Sequence, residues 1–456
     1  MNLAKTIETC NSLKAGGKGD IALKKIQNFI RKSKSEIKAY IYAAEYAESC
    51  NKHTLAENYY LKAIKRVPDD AYFYLNYARF KIRQNQYKKA LNLLNKSYSL
   101  DNSSDLILTQ LGRLNLINGK TSESLQILLK ALEINPNNAQ ALYLLSLCYL
   151  KSGDYEKGFK FYALRHNHLK GANLGWKNID ISLFKTENKW KGEDLNKKTL
   201  LIMPEQGFGD FIMFFRYIRL IKDLFNVSIV IVCDKSMERL ISNSKFIDKF
   251  LTNEKEIDLK NNSFDFWATV FDLPSIFLRT PLENFKFPYL FPKKDIKKYD
   301  FLSTKLLNIG IVWRGSSGHS NDIYRSIKSI ELIKEFSKDE NFNFISLQYD
   351  IDGEEKEILE KHVSQTNYLI EDFNDTANII LELDLVISVD TSVVHLCGAL
   401  DKACWVLLPD INSDWRWHEE GSNSPWYPSV RIFRNHNEEG WELLLKKVKS
   451  ELINLL

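Results

Sequence analysis

Small residues recur every 34 positions through the first third of the chain. Ala44, Ala78, Gly112 and Ser146 form one series; Ala22, Ala56, Ala90, Ser124 and Gly158 form a second. Pro68 and Pro136 are 68 positions apart, twice the same period, and Asn102 lies midway. Each sits in an Asp/Asn-rich turn setting: Asp69-Asp70, Asp101-Asn102 and Asn137-Asn138. Small side chains let the two helices of a hairpin approach closely, and Pro or Asn ends the second helix. A unit of this size cannot bury its apolar face alone, so neighbours must stack. The period therefore predicts about five helical hairpins over residues 1–170.

A 34-residue period of paired helices is the tetratricopeptide signature. Stacked repeats of this kind usually hold a peptide or protein. The tyrosines of this part (Tyr40, Tyr42, Tyr46, Tyr59, Tyr60, Tyr72, Tyr74, Tyr77) read mostly as hairpin core, with some left to line a groove. Residues 171–196 break the period and contain Gly171, Gly175, Trp176, Trp190 and Gly192, which reads as a docking linker.

A length of 456 residues predicts two or three domains. Net charge +5 is spread over 63 basic and 58 acidic residues, a mixed surface rather than a nucleic-acid footprint. The six cysteines form no CxxC pair, and the spacing of Cys397 and Cys404 matches no zinc site, so free thiols in a reducing compartment are expected. The eight histidines are isolated apart from His166 and His168. No metal is expected. The first residues carry no apolar signal core, and no apolar run approaches the length of a membrane span. A cytoplasmic protein is expected, with peripheral membrane contact left open.

From Lys198 the pattern changes to short apolar runs alternating with amphipathic stretches, which argues for parallel sheets. Strands are expected at residues 200–203, 227–233, 308–313, 342–347, 368–370, 385–389 and 403–408. Helices are expected at residues 211–225, from about Ser329, and at 441–456, the last with Leu443, Leu444, Val448, Leu452 and Ile453 available for docking. Pro288, Pro292 and the Lys-rich stretch to Tyr299 read as a hinge. The expected fold class is α + α/β: a repeat solenoid, then one α/β half at 197–300 and a second at 301–456.

Each half carries a polar turn after a strand. In the first it is Glu205-Gln206-Gly207-Phe208-Gly209-Asp210, where Gly207 and Gly209 permit close backbone approach to a ligand. A dinucleotide fingerprint would need a third glycine where Ile212 stands, and no Walker A motif occurs. In the second half the apolar run at 385–389 is followed by Asp390-Thr391-Ser392 and then a helical stretch with His395. A strand, a tight turn and a helix N-terminus make a ready anion site, since the first N–H groups lack intrahelical partners. The segment points to a phosphate-bearing ligand.

Seven blocks then occur in order: PEQGFGDFIMFFRYI, GIVWRGSSGHSNDIYRSI, ISLQ, DFNDTANII, DLVISVDTSVVHLCGAL, DWRW and SPWYP. Together they resemble the bacterial tetratricopeptide-glycosyltransferase proteins. Their catalytic part is similar to the heptosyltransferases and, more distantly, to the O-linked GlcNAc transferase type. The resemblance implies a GT-B architecture of two Rossmann-like halves, the donor held by the second. It also implies metal-independent, inverting transfer from a nucleotide-sugar donor, which is a substrate rather than a cofactor. A protein acceptor recruited by the repeats, flagellin in one example, is implied as partner.

By the same resemblance Asp210 matches the aspartate assigned as general base; its alternative is a cap for a helix starting at Phe211. Arg325 matches the residue facing the donor phosphates, and Asp390, Thr391, Ser392 and His395 match the donor-binding block. The helix-start amides after Thr391, with His395 and Arg325, are expected to hold the phosphates, while the Asp390 carboxylate turns to backbone N–H groups or a sugar hydroxyl. Trp313 and Gln348 sit at strand ends, Trp313 as core or ligand wall. Asn374 or Asp375 is expected to cap a helix with Thr376 near the nucleotide. DWRW and SPWYP wall the cleft or pack on the other half. The loop before Arg325 (His319, Ser320, Asn321, Asp322, Ile323, Tyr324) is less basic than the family pattern, which leaves the donor open. Two other readings stand beside protein glycosylation: transfer to lipopolysaccharide or another surface glycan, and a non-catalytic scaffold.

Overall fold

The computed structural model describes residues 2–165, 184–252, 264–277, 285–294, 299–319, 321–336, 340–351, 353–359, 361–409, 411–435 and 440–456. Of the expected linker, Gly171, Gly175 and Trp176 lie outside these residues, as do the boundary at 170 and His166 and His168. Two compact units emerge, one of Met1–Leu116 and Ser122–Leu144, the other of Ile117–Thr121 and Leu145–Leu456.

Ten helices alternate with short turns: α1 (Leu3–Ala15), α2 (Gly19–Lys32), α3 (Ala39–Ser49), α4 (His53–Arg66), α5 (Ala71–Arg83), α6 (Tyr87–Leu100), α7 (Asp105–Ile117), α8 (Thr121–Ile134), α9 (Ala139–Lys151) and α10 (Tyr155–Tyr162). Pro68, Asn102 and Pro136 fall in the turns before α5, α7 and α9, as the period predicts. The first small-residue series lies on α3, α5, α7 and α9, the second on α2, α4, α6, α8 and α10, and all nine residues are buried. Their smallness has a steric reason. A Cβ added to Gly112 would sit 2.7 Å from the Leu128 side chain, and the Ser124 hydroxyl donates to the Gly112 carbonyl at 2.7 Å. Tyr40, Tyr46, Tyr59, Tyr60 and Tyr77 are buried, whereas Tyr72 keeps 37% of its surface.

The second unit holds two parallel sheets. The first comprises β1 (Thr199–Met203), β2 (Ser228–Val232), β3 (Lys249–Leu251) and β4 (Phe266–Thr269), in the order β3-β2-β1-β4. The second comprises β5 (Leu307–Val312), β6 (Phe342–Ser346), β7 (Ser364–Gln365), β8 (Leu385–Val389), β9 (Cys404–Leu408) and β10 (Val430–Arg434), in the order β10-β9-β8-β5-β6-β7. In both, the chain starts at a central strand, runs outward on one side and returns to the other. The reversal falls between β1 and β4 and between β5 and β8. Loops leaving two such strands diverge and open a crevice at their carboxyl ends.

Several sequence expectations shift. Residues 368–370 are not a strand: Asn367–Leu369 form a 3-10 turn, and the strand is the two-residue β7. The expected helix at 211–225 is two, Phe208–Phe214 and Arg216–Leu224, joined at Phe215. The last helix, Gly440–Ile453, buries Leu444, Leu445, Val448 and Leu452 against Ile309, Leu332 and Leu407, while Leu443 and Ile453 stay about half exposed. Leu444, Val448 and Leu452 thus lie on the buried face as expected, while Leu445 takes the place of Leu443 and Ile453 at its edges. The expected hinge is anchored where it is described: Asn374 accepts from the Lys293 backbone N–H at 2.8 Å, and Asn378 donates to the Lys293 carbonyl at 2.9 Å. Among the described residues no helix is long and apolar enough to cross a membrane.

Candidate functional site

The crevice of the first sheet is built by the turn after β1. Gly207 caps the helix Phe208–Phe214, so the helix starts before Asp210, not after it. Asp210 stands at its third position and accepts from the Gly207 N–H at 2.7 Å through Oδ2. The carboxylate therefore does close the helix start, but by reaching back; the expected cap role before Phe211 is corrected. Its other oxygen, Oδ1, pairs with the Arg416 guanidinium. Burial raises the Asp210 pKa, and Arg416 pulls against it without cancelling the rise.

Arg416 belongs to the 3-10 turn Trp415–Trp417 that follows the second sheet's β9. Asp414 caps this turn, accepting from the Arg416 backbone N–H at 2.9 Å and from its Nη1 at 2.7 Å. Burial works against the guanidinium charge, but Asp210 and Asp414 outweigh it and hold Arg416 firmly ionised. One guanidinium is thus shared by two carboxylates. Its Nε is buried and has no hydrogen-bond partner among the described residues.

The second sheet's crevice lies beyond β5 and β8. Thr391 caps the helix Ser392–Ala399, its hydroxyl accepting from Val393 N–H at 3.3 Å, with Ser392 as the first helical residue. Arg325 donates to the Asp390 carbonyl at 2.9 Å and to the Asp322 carboxylate at 3.2 Å. Arg325 and the Thr391 helix start therefore adjoin, as the expected division of labour requires. Arg325 also leaves room for no side chain at Gly315, whose Cβ would lie 2.3 Å from Nη2. The expectation that the Asp390 carboxylate engages backbone N–H groups is not met among the described residues. Burial and the neighbouring Asp414 push this carboxyl up to about 6 against the pull of Arg325.

His395 is a packed, neutral histidine. Its Nδ1 is 2.9 Å from the Tyr427 hydroxyl, and its ring lies 5.6 Å from Trp417 at an interplanar angle of 25°. Burial, with Arg416 nearby, drops its pKa to about 3. The ring also presses on the first crevice: a Cβ on Gly209 would sit 2.6 Å from His395 Cδ2. Gly209 is therefore required by packing between the helices Phe208–Phe214 and Ser392–Ala399. Gly207 is the cap.

Trp313 is core: it is fully buried and donates through Nε1 to Glu355 at 2.9 Å. Gln348 is buried, accepting from the Arg314 N–H at 3.2 Å and donating to Asp350 at 2.7 Å. The helix Phe373–Glu382 is capped by Asp372, which accepts from Asn374 and Asp375 N–H at 2.8 and 3.1 Å; neither Asn374 nor Asp375 is the cap. Asp375 instead pairs with Arg239 at 3.1 Å, and Asp372 pairs with the same guanidinium at 3.1 Å. The Thr376 hydroxyl donates back to the Asp372 carbonyl at 3.3 Å. Trp426 and Tyr427 are fully buried, and Arg216 donates to the Trp426 carbonyl at 3.0 Å. SPWYP therefore packs on the first half, and DWRW supplies the partner of Asp210.

Asp414 and Arg416 enter the sequence reading only within the DWRW block, as cleft wall or packing, and Arg239 does not enter it. For Arg416 the signal was present in an arginine between two tryptophans, two positions after Asp414. For Arg239, partnered by residues far along the chain, no local signal exists.

Tetratricopeptide-repeat models match residues 59–92 and 127–159, and a second such model matches 107–138. The chain carries tetratricopeptide repeats over these residues. It is 25% identical over 292 residues to Protein FlbA of Caulobacter vibrioides, covering 58% of this chain and 48% of that one. It is 33% identical over 109 residues to BBSome complex member BBS4 of Bos taurus, covering 24% of this chain and 21% of that one. The chain thus spans about half the length of the first relative and about a fifth of the second. Among solved structures, a thermophilic repeat protein of Thermus thermophilus aligns at 16% identity and TM-score 0.32, covering 36% of this chain and 90% of its own. YrrB, a repeat protein with an unusual peptide-binding site, aligns at 18% and TM-score 0.27, covering 37% and 86%. Neither structural likeness carries an argument at such scores.

Proposed function

We propose that this protein is a GT-B glycosyltransferase that moves a sugar from a nucleotide-sugar donor to a hydroxyl of a protein recruited by the repeats. The transfer is inverting and needs no metal. The observation that carries the reading is the Asp210–Arg416 pair, which joins the turn after β1 of one parallel sheet to the turn after β9 of the other. Both sheets have the strand order of Rossmann-like halves, and their crevices are where such sheets take nucleotides. The FlbA alignment covers 58% of this chain, more than the repeats over residues 2–165 can supply, so its similarity extends into the α/β part.

In this mechanism the donor diphosphate lies at the start of the helix Ser392–Ala399, where the helix dipole favours negative charge. Arg325, beside that start, adds a fixed positive charge as the diphosphate leaves. Asp210 accepts the acceptor hydroxyl proton as the oxygen attacks the anomeric carbon. Its raised pKa makes it a stronger base than an ordinary carboxylate. Arg416 orients it and keeps it ionised. The anomeric carbon–phosphate bond breaks, the nucleoside diphosphate departs, and the new glycosidic bond forms with inverted configuration.

The test is mass spectrometry of surface proteins from the same cell, incubated with the protein and a panel of nucleotide sugars. A mass increment of one glycosyl residue on a protein supports the reading. An increment found only on lipopolysaccharide or another glycan moves the acceptor to that class.

A further inference from the structure

The repeat unit ends at Leu144, inside α9, so the end of α9 and all of α10 belong to the α/β unit. Its final arginine, Arg165, is fully buried. Arg165 binds Glu205 through two bonds, Nε at 2.6 Å and Nη2 at 2.5 Å, and binds Thr269 at 2.9 Å and Asp272 at 3.1 Å. Glu205 belongs to the turn after β1, and Thr269 and Asp272 flank the end of β4. The arginine therefore plugs the point where the first sheet's strand order reverses. Lys189 joins the cluster, 3.0 Å from Asp272, so two cations meet two carboxylates.

One residue further, Gln206 has φ of +62°, a conformation that side chains other than glycine adopt at a cost. Its amide is held by the Tyr162 hydroxyl of α10 at 2.6 Å. Tyr162 in turn stacks on Phe271 at 5.4 Å. The next residue, Gly207, is the one whose N–H fixes Asp210. Two side chains of the last repeat thus grip the two residues that precede this anchor.

We infer that Arg165 and Tyr162 are positioning residues for Asp210, fixing the turn at Glu205 and Gln206 so that its carboxylate faces the second half. The inference rests on the proposed role of Asp210 and adds that the last repeat is part of the transfer machinery.

Two variants test it in the full chain with little risk to folding: Tyr162→Phe, which removes only the hydroxyl, and Gln206→Gly, which removes the side-chain anchor at a backbone suited to glycine. Amide exchange in the peptide covering residues 204–212 should speed up about fivefold, the effect of losing roughly one hydrogen bond. Turnover should fall by a similar or larger factor while the donor KM stays within about twofold. Unchanged exchange over 204–212 overturns the grip. Faster exchange with wild-type turnover overturns the catalytic consequence. If the wild-type chain transfers no sugar from any donor, the proposed function fails, and the exchange result still decides whether the last repeat fixes the turn.

Discussion

Asp210 and Arg416 are 206 positions apart and stand at the ends of different sheets, yet they form one ion pair. It sits between a helix start on one side and a Trp-rich turn on the other. Each partner is held again by its own half: Asp210 by the Gly207 N–H, Arg416 by Asp414.

Replacing Asp210 by Asn keeps the side-chain shape but removes the proposed base and one of its two acceptor oxygens. Turnover should fall about 100-fold or more, with donor affinity within about twofold. Steady-state kinetics beside a donor titration checks this, and a full-rate Asp210→Asn protein removes the base assignment.

Arg416→Met leaves two half-buried carboxylates, Asp210 and Asp414, without their shared cation. A loss of roughly 1 to 2 kcal/mol is expected at neutral pH in urea unfolding, less than for a fully buried pair because water screens both carboxylates. The Asp414 pKa lies below its ordinary value because, although burial raises it, Arg416 outweighs burial. Stability from such a group is present above its unfolded pKa and lost as pH falls. The cost of Arg416→Met should therefore hold down to the ordinary carboxylate value of 3.8 and shrink as the pH falls below it.

Asp390 works in the other direction. Its carboxyl is raised from 3.8 to about 6 by burial and by Asp414. Its contribution to stability is full below about 4 and is lost as pH rises through about 6. Asp390→Asn should be close to neutral at pH 4 and should stabilise the chain by about 1 to 2 kcal/mol at pH 7.5. Melting curves at the two pH values read the difference; equal shifts at both contradict it.

Gly112 faces Leu128 with no space for a methyl group. Gly112→Val should cost about 1 to 3 kcal/mol through overpacking, despite the gain in helix preference over glycine. Denaturant unfolding monitored by helical circular dichroism measures it.

The repeats were legible because each hairpin repeats one local constraint: a small residue where helices touch and a turn where they end. The central strands were legible because burial on both faces makes Leu200-Leu201-Ile202-Met203 and Leu385-Val386-Ile387-Ser388-Val389 almost uniformly apolar. The edges were not. β10 reads Val-Arg-Ile-Phe-Arg, and β3 has three residues. Pairing with a neighbour, not composition, makes these strands. In the candidate site the turn at 205–210 and the helix start at 391–395 stood out locally. Their neighbours, Arg416 for Asp210 and Arg165 for Glu205, depend on tertiary packing over 206 and 40 positions.

Isothermal titration of the full chain with UDP-, GDP-, ADP- and CMP-sugars tests the central claim most directly. One nucleotide class should bind, and Arg325→Ala, which removes the charge beside the Thr391 helix start, should weaken that binding at least about tenfold. A chain that binds none of the four classes contradicts the account and leaves a repeat scaffold in its place.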